Sequence, residues 1–336
     1  MQNRIVLMCV WLLGMLVLSN AVLVVGAGAK APAREVIALT TNAGEGVGIW
    51  MRSPDGKNPR LILEIDGDPI PSGLQWSPDG NQIAFFTKLE DNIDIYVVDA
   101  NGENLEKLTN HEAEDSWPTW HPSGLRMAFQ TNRDGNYEIY TMNTRGDILG
   151  NLTNDPAKDQ YPAWSRNGRQ IAFASKRGKS LGDIYLMDGE GEILQNLTDV
   201  RGEDIQPTWS WDNKMIAWTS RRSGNDEIWT MDAADGGNIL KISDLQDPKA
   251  GGFPNREASW SPDGKHIAAA ALGGGQANIR IHPATGNLNW NDLPNIGLQN
   301  RSPAWFDLDF VVEFSVELVD KQVLTWGWIK QVGGDD

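Results

Sequence analysis

The sequence predicts an all-β protein, a six-bladed β-propeller whose blades are four-stranded antiparallel sheets. Tryptophan recurs at nearly constant spacing, apolar runs stand at fixed distances from each tryptophan, and turn residues separate the runs. The runs are too short for helices and are rich in Ile, Val, Phe, Tyr and Thr, so each is typical of a β-strand. A repeated unit of about 45 residues with four such strands is typical of a propeller blade.

The first strand of each unit is marked by its tryptophan. Successive members of the set are 44, 44, 45, 51 and 45 residues apart, in the order Trp76, Trp120, Trp164, Trp209, Trp260 and Trp305. A tight turn such as Ser-Pro-Asp-Gly at residues 77–80 follows the strand. Proline presets φ at the second turn position and glycine accepts the final conformation. The tryptophan strand and its turn are therefore predicted to be scaffold.

The second, third and fourth strands follow at fixed distances. An apolar run such as Ile-Ala-Phe at 83–85 stands seven residues after each of the first five tryptophans. A pair such as Ile-Tyr at 95–96 follows nineteen or twenty residues after the tryptophan, and Leu-Thr at 108–109 represents the fourth strand. The Ile-Ala-Phe runs have no polar face, which predicts strands buried on both sides between neighbouring blades.

Residues 37–64 match strands two, three and four of a unit, but no tryptophan strand precedes them. Trp305 is predicted to supply the missing strand, so that the N- and C-terminal strands pair and close the ring. The propeller is then expected to span residues 37–310, and residues 311–336 to form an extension packed on it. The alternative is a seventh, incomplete blade, because the tail after Trp305 keeps two of the repeat distances.

The first 29 residues are typical of a secretory signal peptide. A single charge, Arg4, precedes an apolar stretch at residues 5–25, and a small-x-small cleavage pattern ends at Ala29. Residues 30–36 then form a short linker. An uncleaved N-terminal anchor is the alternative, because the apolar stretch is long enough to span a bilayer. The sequence thus predicts a periplasmic or secreted protein.

Charge and cysteine content disfavour several classes of function. The formal net charge of −16 argues against nucleic acid and anionic membrane surfaces as partners, because both need a basic footprint. The single cysteine, Cys9, lies in the signal segment, so the mature chain has no disulfide and no thiolate nucleophile. No nucleophile elbow, phosphate loop or HExxH helix occurs. The four histidines are scattered, so no cofactor or protein-held metal is expected, and a cation in the channel is left open.

Two sets of charged residues are predicted to meet on one rim of the ring. In three units, aspartate stands five residues before the tryptophan and arginine stands twelve or thirteen residues after it. Strand parity places both sets on the rim opposite the Ser-Pro-Asp-Gly turns, near the mouth of the central channel. The candidate residues are Asp115, Asp159, Asp204, Arg133, Arg177, Arg221 and Arg222. They are expected either to bind a peptide or anionic ligand, or to pair with one another and lock the ring.

The repeat units WSPDGNQIAFFT, NRDGNYEIYTMN and DQYPAWSRNGRQIAFASKR resemble those of the TolB-like β-propeller family. The resemblance covers roughly residues 37–310. It implies a periplasmic or secreted six-bladed propeller that acts as a protein–protein interaction module. The N-terminal α/β domain of the family's namesake is not expected here, because only a few residues separate Ala29 from the first predicted strand.

The function expected from the sequence is that of an exported, non-enzymatic and monomeric module that binds a protein or peptide. Two alternatives stay open. A secreted lyase or hydrolase would bring histidines and carboxylates together at the channel mouth. A carbohydrate-binding propeller would expose Trp117, Trp211 or Trp290, which fall outside the repeat positions, in a shallow groove.

Overall fold

The computed structural model describes residues 35–41, 47–65, 70–178, 181–199, 202–243, 255–273, 276–286, 291–292, 300–306, 314–319 and 323–328. The regular structure in these ranges consists of β-strands, arranged as six four-stranded antiparallel sheets and one two-stranded hairpin. The predicted all-β, six-bladed propeller is confirmed. None of these ranges contains a helix that is long and apolar enough to span a membrane. The predicted signal peptide at residues 1–29 lies outside them.

Blade 1 combines strands from both ends of the propeller. Its order from the channel outward is β24 (Asn300–Phe306), β1 (Val36–Thr41), β2 (Val47–Arg52) and β3 (Arg60–Ile65). Strand β1 pairs antiparallel with β24, which places Val36 opposite Phe306. The predicted closure of the ring is confirmed, and Trp305 supplies the inner strand of blade 1. The pair formed by β1 and β24 is called the seam.

Blades 2 to 6 each use four consecutive strands, with the tryptophan strand innermost. The strands are β4 (Ser72–Trp76), β5 (Gln82–Thr87), β6 (Asp94–Asp99) and β7 (Glu106–Lys107) in blade 2; β8 (Asp115–Trp120), β9 (Arg126–Thr131), β10 (Glu138–Asn143) and β11 (Ile148–Asn151) in blade 3; β12 (Asp159–Trp164), β13 (Gln170–Ser175), β14 (Asp183–Asp188) and β15 (Ile193–Asn196) in blade 4; β16 (Asp204–Trp209), β17 (Met215–Ser220), β18 (Glu227–Asp232) and β19 (Leu240–Lys241) in blade 5; and β20 (Asn255–Trp260), β21 (His266–Gly273), β22 (Gln276–Pro283) and β23 (Asn291–Asp292) in blade 6.

The tail forms a hairpin of β25 (Phe314–Val319) and β26 (Val323–Trp328), which pair with each other. Because Trp305 belongs to blade 1, the ring closes with six blades rather than seven. The side chains of the hairpin lie outside the described part of the chain. The packing of residues 311–336 on the propeller therefore stays a prediction.

The blades pack face to face through their second strands. The large residues at the centre of these strands are fully buried, namely Phe85, Phe129, Phe173 and Trp218. The flanking isoleucines, such as Ile83 and Ile171, are buried as well. Apolar side chains on both faces of each sheet explain why the runs showed no polar alternation.

Three of the six repeated tryptophans, Trp76, Trp209 and Trp260, join neighbouring blades through an indole hydrogen bond. The indole Nε1 of Trp209 donates to the carbonyl oxygen of Ala163 in the preceding blade at 3.0 Å. Trp76 does the same to Ala304 at 3.1 Å, across the join between blades 1 and 2. Each such bond satisfies the polar atom of a large buried side chain. The tryptophan at the end of the first strand is therefore scaffold, as predicted.

In blades 2 and 6, the turn after the tryptophan has the predicted Ser-Pro-Asp-Gly chemistry. In blade 2, Ser77 Oγ donates to Asp79 Oδ1 at 2.6 Å, and Gly80 N donates to Ser77 O at 2.9 Å. Gly80 has a φ of +69°, a conformation that glycine adopts without steric cost. The rim that carries the turns after the tryptophans is called the turn rim. It comprises residues 77–81, 121–125, 165–169, 210–214 and 261–265.

Candidate binding site in the central channel

Six of the seven predicted site residues pair with one another in three ion pairs, each within one blade. The pairs are Arg133 Nη2 with Asp115 Oδ1 at 3.1 Å, Arg177 Nη2 with Asp159 Oδ2 at 2.8 Å, and Arg222 Nη2 with Asp204 Oδ2 at 3.0 Å. The carboxylates have no exposed surface, and the arginine side chains are only 13–18% exposed. Each pair ties the start of the first strand to the end of the second strand on the rim opposite the turn rim, here called the Asp/Arg rim.

Each paired guanidinium also lies over two aromatic rings of its own blade. In blade 4, Arg177 Cζ is 5.5 Å from the ring centre of Phe173 and 5.1 Å from that of Tyr185. The same arrangement recurs in blades 3 and 5. A buried guanidinium with a carboxylate and two rings around it has few donors left for a ligand. The geometry favours the locking role for these pairs, and ligand binding by them stays a prediction.

Arg221 is paired differently from the other six residues. It is half-exposed, its Nη1 lies 3.2 Å from Glu203 Oε2, and it also contacts Asp226. Asp226 binds Arg256 of the next blade as well. Burial opposes ionisation of Asp226, but the hydrogen bonds from Arg221 and Arg256 outweigh burial and lower its pKa. This cluster links blades 5 and 6 at the Asp/Arg rim.

Asp159 should make stability depend on pH. Burial raises its pKa to about 6, although hydrogen bonds from Ser175 and Arg177 partly offset this effect. The folded state therefore binds the extra proton between about pH 4 and pH 6, and the stabilisation is full below this window. As pH rises through it, the free energy of unfolding should fall by as much as about 3 kcal/mol, at about 1.4 kcal/mol for each pKa unit.

The Asp159→Asn variant cannot ionise and should lose this pH dependence. The difference in unfolding free energy between wild type and variant, measured by urea denaturation at pH 4 and pH 7, should change by that amount. An equal difference at both pH values would show that Asp159 titrates alike in the folded and unfolded states.

A cavity of about 490 Å³ lies in the central channel and is lined by the first strands of all six blades. It extends from the middle of these strands to the turn rim, where Arg166, Asn167 and Trp211 line it. None of its lining residues belongs to the three Asp–Arg pairs. The cavity thus lies toward the rim opposite the one that the charge pattern singled out.

Each first strand carries a bulge at the third residue before its tryptophan. In blade 3, Ser116 opposes Gln130 and Thr119 opposes Ala128, so two residues stand opposite one. The bulged residue has a left-handed backbone with φ between +49° and +61°, and it lines the cavity. The six residues, called the bulge ring, are Gly73, Trp117, Tyr161, Gln206, Glu257 and Ser302.

The bulge ring keeps its backbone conformation in every blade but changes its side chain from blade to blade. A repeated conformation is scaffold, whereas a different side chain in each blade breaks the symmetry of the repeat, as binding sites do. The rings of Trp117 and Tyr161 meet edge-on with centroids 4.8 Å apart. Ser302 Oγ donates a hydrogen bond to Glu257. The cavity is therefore aromatic on one side and polar on another.

The bulge ring is not among the sequence-predicted site residues, although the sequence carries a signal for it. Proline stands two residues before the tryptophan in four units, at positions 118, 162, 207 and 303. Within sheets, proline is confined to edge strands and bulges. A proline at the same position of an inner strand in several blades therefore marks a bulge, and the residue before it is the one placed in the channel.

The described ranges contain no group of three or more His, Cys, Asp or Glu side chains that could hold a metal ion. His121 packs edge-on against Trp164 with centroids 4.8 Å apart, and burial together with nearby Arg126 lowers its pKa to about 4. His282 lies in blade 6, and burial lowers its pKa to about 4 as well. Both imidazoles are therefore neutral at pH 7, and they lie in different blades.

Two of the three tryptophans that fall outside the repeat positions line the channel. Trp117 and Trp211 are both half-buried and face the cavity. Trp117 also packs against Phe86, with ring centroids 5.3 Å apart. Trp290 lies outside the described residues.

The comparisons with known proteins agree with the fold. The chain resembles the solved structure of TolB from Acinetobacter baumannii, with 26% identity over 82% of this chain and 67% of that one, and a TM-score of 0.67. The putative TolB from Agrobacterium tumefaciens has 19% identity, coverage of 78% and 89%, and a TM-score of 0.59. A chain of the Nidogen/Laminin complex has 9% identity, coverage of 81% and 98%, and a TM-score of 0.63.

The last two likenesses show the fold alone, and no curated protein matches the chain significantly. The family model of the TolB beta propeller domain matches residues 68–182 and 149–327, most of the chain. With the six-bladed ring and its blade repeat, this match shows that the chain belongs to the TolB beta propeller domain family.

Proposed function

We propose that the chain is an exported, non-enzymatic and monomeric propeller that binds a segment of a protein or peptide partner in its central channel. The observation that carries this proposal is the lining of the cavity. Within that lining, the bulge ring keeps one backbone conformation from blade to blade, while its side chain differs in every blade. Chemically distinct groups around one opening can recognise an asymmetric ligand, whereas a purely structural ring would repeat them.

The size and chemistry of the cavity suit a short stretch of peptide. Its volume of about 490 Å³ lies within the range of roughly 300–1,000 Å³ that ligand pockets occupy. Proline and aromatic side chains make up much of the wall, and Gln206, Glu257 and Ser302 add isolated polar groups. Apolar walls with a few placed polar groups are typical of sites that hold a side chain and its flanking backbone.

The same lining supports a non-enzymatic role. Glu257 is the only acid among the described residues that line the cavity, and no histidine lines it. The lyase or hydrolase alternative expects histidines and carboxylates together at the channel mouth, and the described lining does not bring them together. The proposed export depends on the signal-like segment at residues 1–29.

Substitution of Trp117 by alanine should weaken partner binding at least tenfold, because large aromatic side chains in enclosed positions dominate binding energies. The full chain with a C-terminal tag would be expressed, the exported fraction cross-linked, and the captured proteins identified and titrated. Thermal unfolding of the variant would confirm that the ring is intact. Leu149→Ala is the matched control, since this exposed residue lies on the outer strand β11.

Several outcomes would contradict the proposal. A tagged chain that stays in the cytoplasm contradicts export. Equal capture by wild type and the Trp117→Ala variant contradicts the channel as the binding site. Specific capture of a glycan instead of a protein would favour the carbohydrate alternative, and turnover of the captured molecule would favour an enzyme.

A further inference from the structure

We propose that the turn-rim end of the cavity is a carboxylate-binding subsite formed by Arg166 and Trp211. The peptide that enters the channel would then carry an acidic group at this end, either a C-terminal carboxylate or an aspartate or glutamate side chain. This inference rests on the proposed peptide-binding function and names the chemistry of the partner.

The first observation is a local departure from the repeat. The residue two positions after the tryptophan is proline in blades 2, 3 and 6, at positions 78, 122 and 262. Proline is favoured there because it presets the φ of the second turn residue. Blades 4 and 5 carry Arg166 and Trp211 instead, and both side chains line the cavity. Asp307 stands at this position after Trp305, so three units lack the proline; the neighbouring blades 4 and 5 are the two in which the replacing side chain lines the described cavity.

The second observation is the contact between these two residues. The Cζ atom of Arg166 lies 4.3 Å from the centre of the Trp211 ring, across the boundary between the two blades. Burial lowers the pKa of Arg166 to about 10, so the guanidinium stays charged at neutral pH. Within the described part of the chain it forms no ion pair. The indole face orients the guanidinium without neutralising it, which leaves the planar N–H edge for a ligand.

The two turns are held together by a further contact. Asn167 N donates to Asn213 Oδ1 at 3.0 Å, which ties the turn of blade 4 to that of blade 5. Asn213 has a φ of +61°, at a position where the other described turns carry glycine. The asparagine accepts a strained backbone and gains this bond between blades. Arg166 and Trp211 therefore stand on a preorganised support, which reduces the entropy lost on binding.

The charges around the subsite favour a single carboxylate. Arg169 also lines the cavity and forms no ion pair with any described residue. Asp212, beside Trp211, is engaged by Ser210 Oγ at 2.7 Å and lies 3.5 Å from Lys214 Nζ. The whole chain has a net charge of −16, so it repels extended polyanions. A local excess of guanidinium inside an acidic protein selects one anionic group, which Arg166 can bind through two parallel hydrogen bonds.

The test uses a library of acetylated hexapeptides with free C-termini, screened against the purified protein. The best binders would be resynthesised with a C-terminal amide, or with Asp and Glu replaced by Asn and Gln. We expect one of these two changes to weaken binding to the wild type by about tenfold or more. A loss with the C-terminal amide identifies a C-terminal carboxylate as the bound group, and a loss with Asn and Gln identifies an acidic side chain. Arg166→Gln should bind the acidic and neutral peptides equally.

Two further variants make the result specific. Arg166→Lys keeps the charge but loses the planar stacked group, so it should retain only part of the preference. Arg145→Gln removes an equal charge from an exposed hairpin on the outside of blade 3, and it should behave as the wild type.

The outcomes separate this inference from the function on which it rests. If the wild type binds none of the peptides, the proposed peptide-binding function fails. If it binds peptides without preferring a carboxylate, or if Arg166→Gln keeps the preference, only the carboxylate subsite is overturned.

Discussion

Replacement of Arg133 by methionine is expected to lower the free energy of unfolding by about 3–5 kcal/mol. Asp115 has no exposed surface, and Arg133 Nη2 donates to both of its carboxylate oxygens at 3.1 Å. Without the guanidinium, a buried carboxylate is left without its counter-charge, which is far costlier than the loss of a surface pair. Methionine keeps much of the apolar contact with Phe129 and Tyr140. Urea denaturation followed by tryptophan fluorescence at pH 7 measures the loss.

The matched control is Lys57→Met. The Lys57–Asp55 pair has a similar distance of 2.9 Å, but its side chains are 77% and 55% exposed, so the loss should be much smaller than that of Arg133→Met. The double variant Asp115→Asn with Arg133→Met should recover part of the loss, because no buried charge remains. If Arg133→Met keeps its stability and loses partner binding, the Asp/Arg rim is a binding site and not a lock.

Substitution of Phe306 by alanine is expected to cost about 3–5 kcal/mol and to loosen the seam. Phe306 is buried at the end of β24, stacks on Trp76 of blade 2 at 5.4 Å, and lies 5.9 Å from Trp211. Its backbone pairs with Val36, at the start of β1. The variant would therefore lose packing where the ring is closed without a covalent link. Urea denaturation gives the stability, and amide hydrogen exchange of β1 reports on the seam.

Phe173→Ala provides the comparison, since this residue is fully buried within blade 4. Both variants should lose a similar free energy of unfolding, because a phenylalanine ring leaves a cavity in each. Only Phe306→Ala should accelerate exchange in β1 relative to the rest of the ring. Equal acceleration in β1 by both variants would show that the seam is no weaker than the interior of a blade.

Much of the fold could be predicted because the repeat fixes how far each strand lies from its tryptophan along the chain. The tryptophan spacing located the first strand of every blade, and the missing tryptophan before residue 37 pointed to Trp305 as the closing strand. Strand parity also placed Asp115 and Arg133 on the same rim, because it brings the start of one strand beside the end of the next. These features depend on the spacing of residues along the chain and on the alternating direction of successive strands. Both can be read from the sequence.

The channel lining could not be predicted in the same way. Parity alone would give Trp117 an ordinary strand conformation, whereas its φ of +54° places it at a bulge and in the cavity. The contact between Arg166 and Trp211 joins two blades, and the sequence of a single repeat unit does not indicate it. Such features depend on how six sheets converge around one axis, a tertiary property that overrides local preference.

The seam also has a mechanical consequence. Val36 begins β1 and Phe306 ends β24, and the two residues face each other at one end of the same antiparallel ladder. A force applied through the chain before Val36 and after Phe306 would therefore load the hydrogen bonds one after another, as in a zipper, and not all together in shear. Thermal unfolding has to disrupt the cooperative packing of the whole ring. A force on the two ends of the seam has to break only one pair of backbone hydrogen bonds at a time.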